Sequence, residues 1–207
     1  MNPSDNARPG AEPSPRASHA GASRFSDRAA ARRAVELALP MLEASLRDKA
    51  VGESGCMHVV VMDPTLQPGD CTFEEAILYE HSLPSREAWD ADYSLYARAK
   101  ASLAWRTGMA SAAVVHCAPH RLRSDDTLLG GAAVFDGIVV AVSGANAWYD
   151  EAFAGCVAAL LRGVAQECCH RAQAGAWHIF RCGVIPGRAD RLSDPLSDSG
   201  CPNLRTP

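Results

Sequence analysis

The stretch TLLGGAAVFDGIVVAVSGANAWYDE, residues 127–151, decides the fold. Two apolar runs flank Asp136-Gly137. A two-residue loop between strand-like runs favours a type I′ turn, which needs φ > 0 at both central positions; Gly accepts this freely and Asp tolerates it. Residues 127–135 and 138–143 are therefore predicted to be paired antiparallel strands. Ser143-Gly144 closes the second strand, and Asp150-Glu151 falls in the first turn of a following helix. Most side chains on both strands are apolar, so both faces of the sheet should be covered. Helices of the same chain can supply one cover and a second subunit the other.

Moving outward, residues 1–26 are rich in Pro, Ser, Ala, Gly and Arg, lack apolar periodicity and are expected to be disordered. Residues 27–49 read as helix, with Val35, Leu39, Leu42 and Leu46 on one face and Pro40 set to kink or split it. Residues 56–63 (CMHVVVMD) read as strand, and residues 72–81 (TFEEAILYEH) as its hairpin partner. Pro68-Gly69 marks a turn between them. Residues 85–107 form the clearest helix: Trp89, Tyr93, Tyr96, Lys100, Leu103 and Thr107 recur at helical spacing. Ser85 or Asp90 can cap its start, and Gly108 ends it. Residues 110–117 look extended, and residues 121–126 are a polar loop. Trp148 to Cys169 reads as the last core helix. Beyond it, residues 171–207 hold one apolar patch, 177–185, and an otherwise mostly disordered tail. The expected class is α+β: an antiparallel sheet of about five strands with helices packed on it, in profilin- or PAS-like layering.

The chain has 207 residues, 47% of them hydrophobic, and a formal charge of −4. That is ordinary for one core and carries no basic, nucleic-acid-binding signature. No apolar run approaches the ~18 residues of a transmembrane helix, and the N-terminus lacks the apolar centre of a secretory signal. The eight cysteines form no C-x-x-C pair, so they read as reduced thiols, several buried, in a cytoplasmic protein. No phosphate loop, dinucleotide fingerprint or nucleophile elbow is present.

Gly130-Gly131, then DGIVVAVSG over residues 136–144, then Asp150-Glu151 resembles the signature of the GlcG/HbpS-like family, also called the haem-degrading domain. The helix segment ARAKA, residues 97–101, is similar to that family's A-x-x-K helix. The Trp89-to-Lys100 spacing resembles a branch that includes a yeast protein linked to tail-anchored protein delivery. The similarity spans about residues 30–169, giving a family domain over 27–170. It implies a sheet flanked by helices, a homo-oligomer, no established catalysis, and in some members a bound haem or corrinoid. The segment between the lysine helix and Gly130 departs from the commoner pattern, and the second hairpin strand lacks an internal glycine.

Each candidate site residue has a structural and a functional reading. Lys100, on an apolar stripe, either pairs with Asp150 or Glu151 or meets a ligand carboxylate such as a tetrapyrrole propionate. Gly130, Gly131, Ser143 and Gly144 either satisfy the backbone or let a flat ligand approach it. Asp150 and Glu151 suit a helix start on dipole grounds alone. His116, Cys117 and His120 offer haem-iron or zinc ligands, without a convincing fourth for zinc. His58 and His81 read as packed or hydrogen-bonded strand residues. The reading is a non-enzymatic, oligomeric ligand-binding protein, with haem or a related tetrapyrrole as ligand through Lys100, Gly130, Gly131, Ser143, Gly144, His116 and His120. The alternatives are an oligomeric scaffold or adaptor with a protein partner in targeting or chaperone assemblies, and an enzyme on a small anionic compound.

Overall fold

In a computed structural model of the chain, residues 23–52 and 54–181 are described. The expected disorder of residues 1–22 and 182–207 lies outside them. The chain divides into two units, Met1–His170 and Arg171–Pro207. The first carries the sheet, and the described part of the second is helical to Arg181 rather than irregular.

The class is α+β, as expected, with four strands in one antiparallel sheet: β1 (Met57–Met62), β2 (Ile77–Leu83), β3 (Ala132–Phe135) and β4 (Ile138–Ser143), in the order β2-β1-β4-β3. The β3–β4 turn is as the sequence predicts: Asp136 and Gly137 sit at φ 49° and 82°, and Phe135 pairs with Ile138. β3 is shorter than expected, because residues 127–131 lie outside the sheet. The β1–β2 hairpin also forms, with a bulge at Val61/Met62. Its second strand begins only at Ile77. Thr72 and Glu75 close a reciprocal capping box instead, Thr72 N–H donating to Glu75 Oε2 at 2.9 Å and Glu75 N–H to Thr72 Oγ1 at 3.3 Å, which coils residues 72–76 into a turn.

Helices cover both faces. Met57, Val59, Val61, Val140 and Val142 face α1 (Arg28–Leu46) and α4 (Ala147–Arg181), meeting Ala34, Val35, Leu42, Phe153, Val157 and Leu161. Val60, Met62, Val139 and Ala141 face α2 (Tyr93–Thr107) through Ala97, Ala101 and Ala104. The second cover therefore comes from this chain. An uncovered face was the physical ground for expecting a homo-oligomer, and that ground is absent. α2 buries alanines and Lys100 rather than the aromatic stripe; Tyr96 is 44% exposed. Alanine lets the helix backbone approach the sheet closely.

Three further expectations are corrected. Asp92, not Ser85 or Asp90, caps α2, accepting from the Ser94 and Leu95 amides, so Trp89 precedes the helix. Residues 111–117 form helix α3 (Ser111–Cys117), not a strand, with Ser111 and Val114 buried one turn apart; a short apolar run cannot settle its own period. Of the kink or split expected at Pro40, the split is absent: Pro40 lies on the exposed side of one continuous helix, where the carbonyl it leaves unpaired can meet water. Among the described cysteines only Cys56 is buried.

α4 is long and apolar enough to cross a membrane by length and composition. Its Phe153, Val157, Leu161 and Val164 are nonetheless buried on the sheet, while Arg162 and Glu167 are exposed, the two-sided pattern of a core helix.

Candidate functional site

The site is built where the end of β4, α2 and the start of α4 meet. Lys100 is 3% exposed and Asp150 1%. Lys100 reaches this point because its α2 turn lies against β4; Asp150 reaches it because Gly144 lets the chain leave β4 into α4. The Lys100 ammonium donates to Asp150 Oδ2 at 2.7 Å, to the Val142 carbonyl at 3.1 Å and to Ser143 Oγ at 3.4 Å. Asp150 Oδ1 accepts from the Ala145 amide at 2.8 Å. All three ammonium hydrogens thus have acceptors, and the pair ties a helix on one sheet face to the first turn of a helix packed on the other. Burial pushes the Asp150 carboxyl up to about 6, against the opposite pull of Lys100 and the backbone amides.

The glycines are consumed by this packing. At Gly131 (φ 126°) a Cβ would lie 2.8 Å from both Lys100 Nζ and the Asp150 Cβ. At Gly144 (φ 143°) it would lie 2.0 Å from the Cys56 carbonyl oxygen. Only glycine adopts these angles without strain and leaves that space to its neighbours. At Gly130 a Cβ would press to 3.2 Å from the Ala112 Cβ. Ser143 is buried beneath the pair.

A cleft of about 400 Å³ opens beside Lys100 and Asp150, walled by Ser54, Asp90, Tyr93, Tyr96, Leu129 and Asn146. A second cavity of about 560 Å³ adjoins it; the two share Ala147, and Leu129 of the first precedes Gly130 of the second. His116, Val134, Trp148 and Glu151 line the second, with Ala110, Ala112, Ala133 and Ala152 as apolar wall. His116, Cys117 and His120 are exposed, and His120 lines neither cavity. Among the described residues no three His, Cys, Asp or Glu side chains group as metal ligands. For haem, His116 offers one imidazole, while among the described residues no Lys or Arg lines its cavity to meet propionates, Glu151 adds a carboxylate there, and Lys100 is fully bonded elsewhere.

Sequence reasoning missed a second polar cluster. His58, completely buried, bonds Ser82 Oγ through Nδ1 at 3.0 Å and Glu80 Oε1 through Nε2 at 3.1 Å. Arg98 grips Glu80 with Nε and a terminal nitrogen at 2.7 and 2.6 Å. Burial raises the Glu80 carboxyl, but the Arg98 and His58 bonds outweigh it and hold the group at about 2. The Trp89 ring lies edge-on to His58, 5.6 Å between centroids. His81 stacks on Tyr79. Alternation along β1 and β2, which puts His58 and Glu80 on the α2 face, was the available signal. Comparison of the chain with protein-family models, with curated proteins and with solved structures finds no match in any of the three.

Proposed function

We propose that the chain is a non-enzymatic ligand-binding protein of the cytoplasm whose site is the pair of adjoining cavities beside Lys100 and His116. The observation that carries this reading is their junction: cavities of about 400 and 560 Å³ share Ala147 at the start of α4. Each volume is in the range that takes a small organic molecule. Lys100 and Asp150 act as the fixed floor, holding α2 and α4 apart at the distance the cavities need. The tetrapyrrole implied by the GlcG/HbpS-like resemblance is one occupant of this reading, and the lack of Lys or Arg among the described residues lining the His116 cavity argues against it. Native mass spectrometry of the purified protein, with absorbance spectra during haemin titration, tests the reading. A bound small molecule displaced by Ala147→Trp is the expected result. A Soret band lost in His116→Ala would restore the tetrapyrrole. Protein with no bound molecule, and no change in melting temperature with any of a metabolite set, would overturn ligand binding.

A second reading, an oligomeric scaffold or adaptor, is favoured by a separate observation. Tyr96, Leu128, Leu129 and Trp148 are large apolar side chains 44%, 68%, 46% and 69% exposed, and three of them rim the two cavities. Apolar side chains gathered in this way suit a protein contact.

A further inference from the structure

Glu151 lines the His116 cavity, and its Oε2 is closed off from solvent with no hydrogen-bond partner among the described residues. A carboxylate oxygen shut away from water without a donor is unfavourable, and such a group in a native structure calls for a partner. Among the described residues the lining holds neither Lys nor Arg, and His116 is its one imidazole. Ala133 and Val134 make the wall apolar, and Gly130 leaves it without a side chain. Trp148, 69% exposed, presents an aromatic ring at the same cavity. An acceptor oxygen, an apolar wall and an aromatic ring together describe the complement of an organic cation.

We infer that this cavity binds an amine with an apolar body, the Glu151 side chain turning its closed-off, unpartnered oxygen toward the ammonium and the carbon skeleton lying against Val134 and Trp148. The inference rests on the ligand-binding reading and fixes the class of ligand. An organic anion of the same shape is disfavoured, because Glu151 would face a like charge, and among the described lining residues there is neither Lys nor Arg to offset it.

The test uses three probes with one hydrocarbon tail: hexylammonium, hexanol and hexanoate. Each is titrated into the isotope-labelled full chain near neutral pH, following the Gly130 and Val134 amides and the Trp148 indole by NMR. Hexylammonium should move these signals and bind at least about tenfold more tightly than hexanoate. Glu151→Gln, which keeps the side chain's size, should remove that preference while leaving hexanol within about twofold. Trp148→Ala should weaken hexylammonium more than hexanol. Hexanoate binding as tightly as hexylammonium, or a preference unchanged in Glu151→Gln, overturns the assignment of a cation and leaves ligand binding standing. If none of the three probes moves the cavity signals, the inference and the use of this cavity for ligands fail together.

Discussion

Lys100→Met is the most informative substitution, because it keeps the length of the side chain and removes only its charge and donors. The variant strands Asp150, 1% exposed, with backbone amides of Gly144 and Ala145 as donors but no cation. Breaking a buried ion pair from one side costs about 3–5 kcal/mol, a large part of the roughly 5–15 kcal/mol that holds a domain folded. Asp150→Asn should cost a comparable amount, since it leaves an ammonium facing the Val142 carbonyl and Ser143 without a counter-charge. In the double variant both charges go together and Asn can still accept from Ala145, so the cost should fall short of the sum by about 2 kcal/mol. Urea unfolding of the four proteins measures this directly. The pH dependence adds a second check. Asp150 is held at about 6, above its unfolded value of about 3.9, so ionising it opposes folding, and that penalty is relieved as pH falls from above 6 toward 4. In Lys100→Met the carboxyl climbs further, because the neighbouring cation is gone. Between that higher value and about 6, the folded variant binds a proton that the folded wild type does not. The stability gap should therefore narrow on acidification and level off below about 6. A single variant within about 1 kcal/mol of wild type, or strictly additive costs, would refute the reasoning.

Other outcomes follow from the same geometry. Gly144→Ala should abolish soluble folded protein, because its Cβ would sit 2.0 Å from the Cys56 carbonyl oxygen; Gly137→Ala, with no atom within 4 Å of the added carbon, should cost only the backbone strain of about 1–2 kcal/mol, read by denaturant midpoint. Glu80 is held at about 2, so its contribution is fully present above its unfolded value of about 4.3 and is lost as pH falls through 2; the advantage of wild type over Glu80→Gln in thermal melts should vanish along that path. If the exposed Tyr96–Leu129–Trp148 surface is a contact between copies, light scattering should give a multiple of 22.0 kDa, and Trp148→Glu should return it to that mass; a monomeric wild type removes the scaffold's homo-oligomer.

The hairpin around Asp136-Gly137 was legible because its signal is local: two residues that tolerate φ > 0 between two β-branched runs. α1 and α4 were legible for the same reason, their apolar spacing being long enough to fix a period. The misread elements are those where a short local bond competes with propensity. The Thr72–Glu75 capping box takes five residues from a strand that Phe73 and Ile77 otherwise suggest. In residues 111–117 the alanines and valines fit either period, and what decides is tertiary: Ser111 Oγ accepts from the Ala132 amide at 3.1 Å, anchoring the first turn of α3 to β3. The covering of the second sheet face was hidden because the face of α2 that packs on it is Ala97, Ala101 and Ala104, beside the stripe of large side chains that the spacing picks out.

At the site, the sequence singled out the charges and glycines and left a structural and a functional use open for each. Lys100 on an apolar stripe demands an anion, and the sequence offered Asp150 or Glu151; that Asp150, 50 positions away, is the one is visible only once α2 and α4 meet at the end of β4. That meeting also explains the glycines. Gly131 is held to a hydrogen atom by the ammonium itself, and Gly144 by the neighbouring strand, so close packing alone requires these two glycines, while Gly130 also lines the second cavity. It follows that binding chemistry must come from side chains the ion pair leaves free. Those are the Asp90, Tyr93 and Tyr96 wall on one side, and His116, Trp148 and Glu151 on the other. Of these, Glu151 alone combines a closed-off oxygen with no partner among the described residues, although it stands next in sequence to the residue that is most completely bonded. Adjacent acids on a helix point about 100° apart. One turns inward to staple the fold and the next turns to the cavity, which separates structural from binding chemistry within a single dipeptide.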